Sequence, residues 1–159
     1  MKEVVVVSGV RTAIGTFGGS LKDVPPTKLA ALVTKEALAR AKVDGKDVEN
    51  VVFGHVINTE PRDMYMARVA AIEGGCAQET PALTVNRLCG SGLQAIVSAA
   101  QSIQLGDAKV AVGGGAESMS RAPFASLTAR WGARMGDSKM VDMMLGALHD
   151  PFQTIHMGI

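Results

Sequence analysis

The residues best suited to covalent chemistry lie in Thr84-Val85-Asn86-Arg87-Leu88-Cys89-Gly90-Ser91-Gly92-Leu93-Gln94-Ala95. A short apolar strand signal, Pro81 to Val85, runs into a glycine-flanked turn, and a long uncharged helical run begins at or just after Cys89. That order predicts a thiol at a helix N-terminus, where unpaired N–H groups and the positive end of the helix dipole stabilise negative charge. Gly90 and Gly92 carry no side chain to shield the sulfur, so a substrate carbonyl can approach it with N–H donors close by. The chemistry implied is nucleophilic attack on an acyl group. Taken alone, the same cysteine is equally a small buried hydrophobe in a turn, because one cysteine after a strand carries little information.

The other candidates read as structural. His55 falls on the apolar run Val51 to Ile57, where a hydrogen-bonded histidine is the simpler expectation than a catalyst. Cys76 follows Gly74-Gly75 with no helical run behind it. The loop Gly15-Thr16-Phe17-Gly18-Gly19 lacks both the Lys-Ser/Thr of a phosphate-binding loop and the dinucleotide spacing, so it reads as turn and packing chemistry. His149, in His149-Asp150-Pro151, reads as loop structure, and no metal site is expected.

Several elements must position Cys89. Val4 to Val7 is a continuous β-branched run, which predicts a strand buried on both faces. Pro25-Pro26-Thr27 opens a helix to about Ala41, because proline is tolerated in a first turn. Lys28, Lys35 and Lys42 mark its wet stripe, with Leu29, Leu32, Val33 and Ala37 on the opposite side. A second strand over Val51 to Ile57 follows, then a short helix from Met64 to Ile72 that exits at Gly74-Gly75. The helix after Cys89 runs to Leu105, with Gly106 as its stop. No charge occurs between Leu88 and Gly106, so this helix is expected to be covered by protein on several sides. Lys109 to Gly113 is a further strand, and the alternation of strands and helices predicts right-handed crossovers and a mainly parallel sheet.

Composition narrows the function classes. A chain of 159 residues, 47% hydrophobic, is long enough for one domain with a core. Its net charge of +1, with no basic run and few aromatics, argues against nucleic acid. No long apolar span or leader is visible, so neither membrane nor export is expected, and the two cysteines read as free thiols in the cytoplasm. A Cys76–Cys89 disulfide is the alternative. From Ala116 onward the character changes: six of the nine methionines and the only tryptophan, Trp131, lie beyond Gly115. Such a stretch is either an adaptable binding surface or an irregular packed excursion.

Asn86-Arg87-Leu88-Cys89-Gly90-Ser91-Gly92 resembles the nucleophile motif of the thiolase superfamily, nearest to the bacterial acetyl-CoA acetyltransferases or β-ketothiolases. Val10-Arg11-Thr12-Ala13-Ile14-Gly15 with Phe17-Gly18-Gly19 is similar to the family's opening strand and loop. Gly113-Gly114-Gly115-Ala116-Glu117-Ser118-Met119-Ser120 resembles the end of its fourth strand, and His156-Met157-Gly158 its loop-domain motif. Four such stretches in order span the chain.

The resemblance implies an α/β fold, with residues 1–118 a thiolase-like βαβαβαβ N-terminal half built on a mainly parallel sheet and a central buried helix. Residues 119–159 would begin the inserted loop domain. The implied activity is acyl transfer between coenzyme A thioesters by Claisen condensation or thiolysis, with no tightly bound cofactor. Cys89 would carry the acyl group and lend its own N–H to an oxyanion hole, while His156 and Met157 would contact substrate at the pantetheine end. A homodimer or tetramer is implied, with Trp131-Gly132-Ala133-Arg134 as candidate contacts. The family's activating histidine, in a Gly-His-Pro setting, and its second cysteine, in a Cys-x-Gly-x-Gly setting, have no counterpart here, so a companion C-terminal half is expected. Ile159 would fall inside the loop insertion and before the family's fifth strand, leaving a sheet edge and apolar surface to be covered. The competing readings are a decarboxylating ketoacyl synthase of the same superfamily and a non-catalytic dimerisation or acyl-binding module.

Overall fold

The computed structural model describes residues 2–159. Helix α1 (Pro26–Ala41) starts where Pro26 supplies a preset φ and stops where Lys42 turns left-handed at φ 55°. Strand β1 (Asn50–Gly54) follows, then helix α2 (Met66–Gly74), which ends at Gly75 with φ 101°. Strand β2 (Ala82–Val85) leads into helix α3 (Ser91–Leu105), closed by Gly106 at φ 93°, and strand β3 (Ala111–Gly115) comes next. Both glycine stops are left-handed caps that a side chain would strain.

The three strands form a parallel sheet in the order β2-β1-β3. In that register Gly54 lies opposite both Val85 and Gly115, so the carboxyl ends of all three strands finish level. The centre strand alternates between two cores. Val51 and Phe53 pack with α1 and α2 on one face, and Val52 packs with Ala95 and Ala99 of α3 on the other. This two-sided burial explains the unbroken apolar reading of β1.

Beyond β3, strands β4 (Phe124–Ser126) and β5 (Met140–Asp142) pair antiparallel as a separate ribbon. The short helix α4 (Met143–Leu148) follows, capped by the Asp142 carboxylate, which accepts from the Met144 N–H at 2.9 Å and the Leu145 N–H at 3.3 Å. No helix among the described residues is long and apolar enough to cross a membrane.

The second expected strand stops at Gly54, short of Ile57, and three further expectations are corrected. Val4 to Val7 forms no strand, and Val6 is 85% exposed. β-Branched residues favour extended backbone, but a strand exists only through its partner. Here an apolar cavity of about 850 Å³ separates the segment from the edge of β3. The buried side of α1 is also displaced: Thr27, Ala30, Ala31, Thr34 and Leu38 face inward, while Leu32 is exposed. The cause is close helix packing, since a Cβ on Gly74 of α2 would stand 2.5 Å from Thr34 Cγ2, and only small side chains fit between such axes. Finally, α3 is not covered on all sides. Ser91, Ala95, Ala99 and Ser102 meet the sheet, whereas Leu93, Ile96 and Leu105 are exposed, because the described chain supplies one layer against this helix and no second.

Candidate active site

The turn that carries Cys89 is built by local hydrogen bonds. Asn86 Oδ1 accepts from the Leu88 N–H at 3.0 Å, and Leu88 adopts φ 46°, a left-handed conformation that a leucine takes only when its surroundings hold it there. Ser91 Oγ accepts from the Arg87 N–H at 2.8 Å and donates to the Leu88 carbonyl at 2.6 Å. The N–H groups of Gly90 and Ser91 are taken by the carbonyls of Arg87 and Leu88. The Cys89 N–H has no partner among the described residues. The sulfur-bearing residue itself is exposed, two positions ahead of the first residue of α3.

Glycines let the start of α3 rest on the strand ends. A Cβ on Gly54 would meet the Ser91 carbonyl carbon at 2.5 Å and the Gly92 nitrogen at 2.7 Å, and one on Gly113 would meet Ile96 Cα at 2.8 Å. Backbone therefore packs on backbone. Cys89 stands at the carboxyl edge of a parallel sheet, where the connections leaving β1 and β2 run to opposite faces. Such an edge is where open α/β sheets bind ligands.

A cavity of about 450 Å³ opens at Cys89. Leu88, Val56 and Ile57 wall it on the sheet side, Met144, Ala147 and Leu148 of α4 on the other, and Glu117 is the one charged side chain in its lining. The excursion after β3 thus returns to line the same cavity as the nucleophile turn, which stays exposed. His156 and Met157 are not in that lining. Met157 donates its N–H to the Leu148 carbonyl at 2.8 Å, and the His156 ring meets the His149 ring edge-on at 5.2 Å, so both back the segment that forms the wall.

His55 is 3% exposed, and its Nδ1–H donates to the Ala116 carbonyl at 2.8 Å, which is the structural role expected of it. Its Nε2 lies 3.9 Å from the Asp63 carboxylate, which accepts from the N–H and hydroxyl of Thr59, each at 2.7 Å. Cys76 is buried, and that burial pushes its thiol pKa up from the ordinary 9.0. Both cysteines are free, so the disulfide alternative falls. Sequence reasoning quoted Asn86, Ser91 and Glu117 within motifs without giving them roles of their own, and passed over Asp63. Glu117 had a signal: a carboxylate directly after an apolar, glycine-rich strand end.

Residues 4–159 match the family described as thiolase, N-terminal domain, and the chain belongs to the thiolase family. It is 75% identical to the beta-ketothiolase BktB of Cupriavidus necator over 158 residues, covering 99% of this chain and 40% of that protein. An acetyl-CoA acetyltransferase of the same organism is 47% identical over 160 residues, covering 100% of this chain and 40% of that protein. Among solved structures, the acetyl-CoA acetyltransferase of Bacillus anthracis superposes with a TM-score of 0.91 at 42% identity, over 97% of this chain and 39% of that one. The human mitochondrial 3-ketoacyl-CoA thiolase in complex with CoA gives 0.92 at 40% identity, over 96% and 39%. The chain therefore spans about 40% of the length of the relatives it matches. The α/β architecture with a parallel sheet, read from the sequence, stands.

Proposed function

We propose that this chain contributes the nucleophile to an acyltransferase that condenses or cleaves coenzyme A thioesters. The observation that carries the reading is an exposed Cys89, its own N–H unpartnered among the described residues, beside a cavity lined mainly by apolar side chains. In the first step the sulfur attacks the thioester carbonyl, the tetrahedral oxyanion is met by the Cys89 N–H, and coenzyme A leaves as its thiol after taking a proton. In the second, a base removes a proton from the α-carbon of a second acetyl-CoA. The resulting enolate attacks the acyl-cysteine carbonyl, forming a carbon–carbon bond as the sulfur is released. Two acetyl-CoA thereby give acetoacetyl-CoA plus coenzyme A, and thiolysis is the reverse.

The base and the enolate donors belong to a C-terminal half that works with this one. Residues 1–118 form the α/β half and 119–159 the start of the loop domain, where His156 and Met157 would meet the pantetheine end of the substrate outside the cavity that Cys89 lines. Coenzyme A thioesters are substrates, with no resident cofactor, and the enzyme works in the cytoplasm. The exposed ribbon around Trp131 joins copies into a dimer or tetramer. A thiolysis assay on the enzyme containing this chain tests the reading. Loss of at least about a thousandfold in kcat for Cys89→Ala supports it, and turnover within tenfold of wild type overturns it.

A further inference from the structure

We infer that Glu117 is a positioning residue for Cys89, a role that rests on the acyltransfer reading above. Its carboxylate spans the gap between two strand ends. Oε2 accepts from the Val56 N–H at 2.9 Å and Oε1 from the Ile57 N–H at 3.1 Å, so the two amides just past β1 bond to a side chain just past β3. The expected strand through Ile57 ends at Gly54 because these two donors leave the ladder for Glu117.

The same junction is tied at three further points. The His55 N–H donates to the Val85 carbonyl of β2 at 3.0 Å, the Ala116 N–H donates to the Gly54 carbonyl at 3.1 Å, and His55 Nδ1–H donates to the Ala116 carbonyl at 2.8 Å. Glu117 Oε1 also lies 3.4 Å from His55 Nδ1. All three strands are thus locked together within a residue or two of their ends. The Cys89 turn sits directly on that lock. Gly54 and Gly115 abut Ser91 and Gly92, with the Gly115 Cβ position 3.4 Å from Gly92 Cα. Val56, Ile57, Glu117 and Cys89 line one cavity.

A carboxylate is the side chain that fits. Two convergent N–H donors need two acceptor oxygens, and charge strengthens both bonds. Glutamine offers one oxygen and turns an NH₂ group toward the second amide, so Glu117→Gln keeps the volume and loses half the clamp. The clamp fixes where the sulfur and the Cys89 N–H sit relative to a bound carbonyl, and it touches no reacting atom.

The test compares two reactions of the same sulfur in the enzyme containing this chain. Acylation by acetyl-CoA requires the carbonyl to be placed between sulfur and N–H donor, whereas alkylation by iodoacetamide requires only access to sulfur. For Glu117→Gln, acylation of Cys89 slows by about tenfold, with KM for acetyl-CoA and the alkylation rate each within about twofold of wild type, and Glu117→Ala is slower still. Acylation slowed by less than about threefold overturns the role. Acylation and alkylation falling in parallel, or a Glu117→Gln protein that does not fold, assigns the residue to stability alone and also overturns it. If wild-type Cys89 takes up no acetyl group, the acyltransfer reading fails and this inference with it; if only the variant comparison fails, the reading survives.

Discussion

The platform beneath Cys89 and the excursion after Met119 are built by opposite rules. In the platform, Val51, Val52 and Phe53 are buried on both sides of a parallel sheet, and backbone meets backbone at Gly54 and Gly113. In the excursion, Leu127, Trp131, Met135 and Phe152 all turn outward, Trp131 at 83% exposure, and a Cβ at Gly132, Gly136 or Gly146 would meet nothing within 4 Å. The first region is organised by its own packing. The second has apolar surface to offer and meets the platform at the cavity wall formed by Met144, Ala147 and Leu148. Chemistry is placed where the chain is over-determined, and adaptability where it is not.

Paired substitutions in the enzyme containing this chain sharpen that contrast. Phe53→Ala removes a ring 1% exposed at the centre of the core and is expected to cost about 3–5 kcal/mol in urea unfolding, while Phe152→Ala, at 92% exposure, costs under about 0.5 kcal/mol. Equal losses would erase the distinction. Gly54→Ala drives a methyl into the Ser91–Gly92 backbone and should cost about 3 kcal/mol, whereas Gly146→Ala, in the open helix α4, should stabilise by about 0.5–1 kcal/mol. A neutral Gly54→Ala would mean that the helix start does not rest on β1. Trp131→Ala should shift unfolding by no more than about 0.5 kcal/mol and, on the proposed contact between copies, lower the mass measured by sedimentation; an unchanged mass would remove Trp131 from that contact.

The smallest effect concerns Cys76. Its thiol is pushed up by burial, so the native state holds the proton longer than the unfolded chain does. The stabilisation is complete below the ordinary thiol value of 9.0 and declines as pH rises through it, because the unfolded chain then releases a proton that the folded one keeps. Stability of the wild type should therefore fall more steeply than that of Cys76→Ala above about pH 9. Parallel curves would contradict the burial assigned to it.

Much of the platform was legible in the sequence. Pro26, Gly75 and Gly106 marked helix ends because each needs a backbone state that few residues accept. The apolar runs gave β1 and β2, and the glycine-flanked Cys89 stood out before any fold was known. What stayed hidden depends on partners distant in sequence. Val4 to Val7 reads as a strand from side chains alone, but strand formation is decided by what lies across the ladder. The buried side of α1 was misjudged because large residues dominate a periodicity count while close contact with α2 selects small ones. Glu117 escaped because its donors, Val56 and Ile57, are some 60 residues away along the chain.

The most direct test of the central claim is peptide mapping of the enzyme after brief incubation with acetyl-CoA and acid quench. A single acetyl group on the peptide containing Cys89, absent from Cys89→Ser and discharged on adding coenzyme A, is the predicted result. Acetyl found on Cys76 or on lysines instead, or undiminished turnover without any adduct at Cys89, would contradict it.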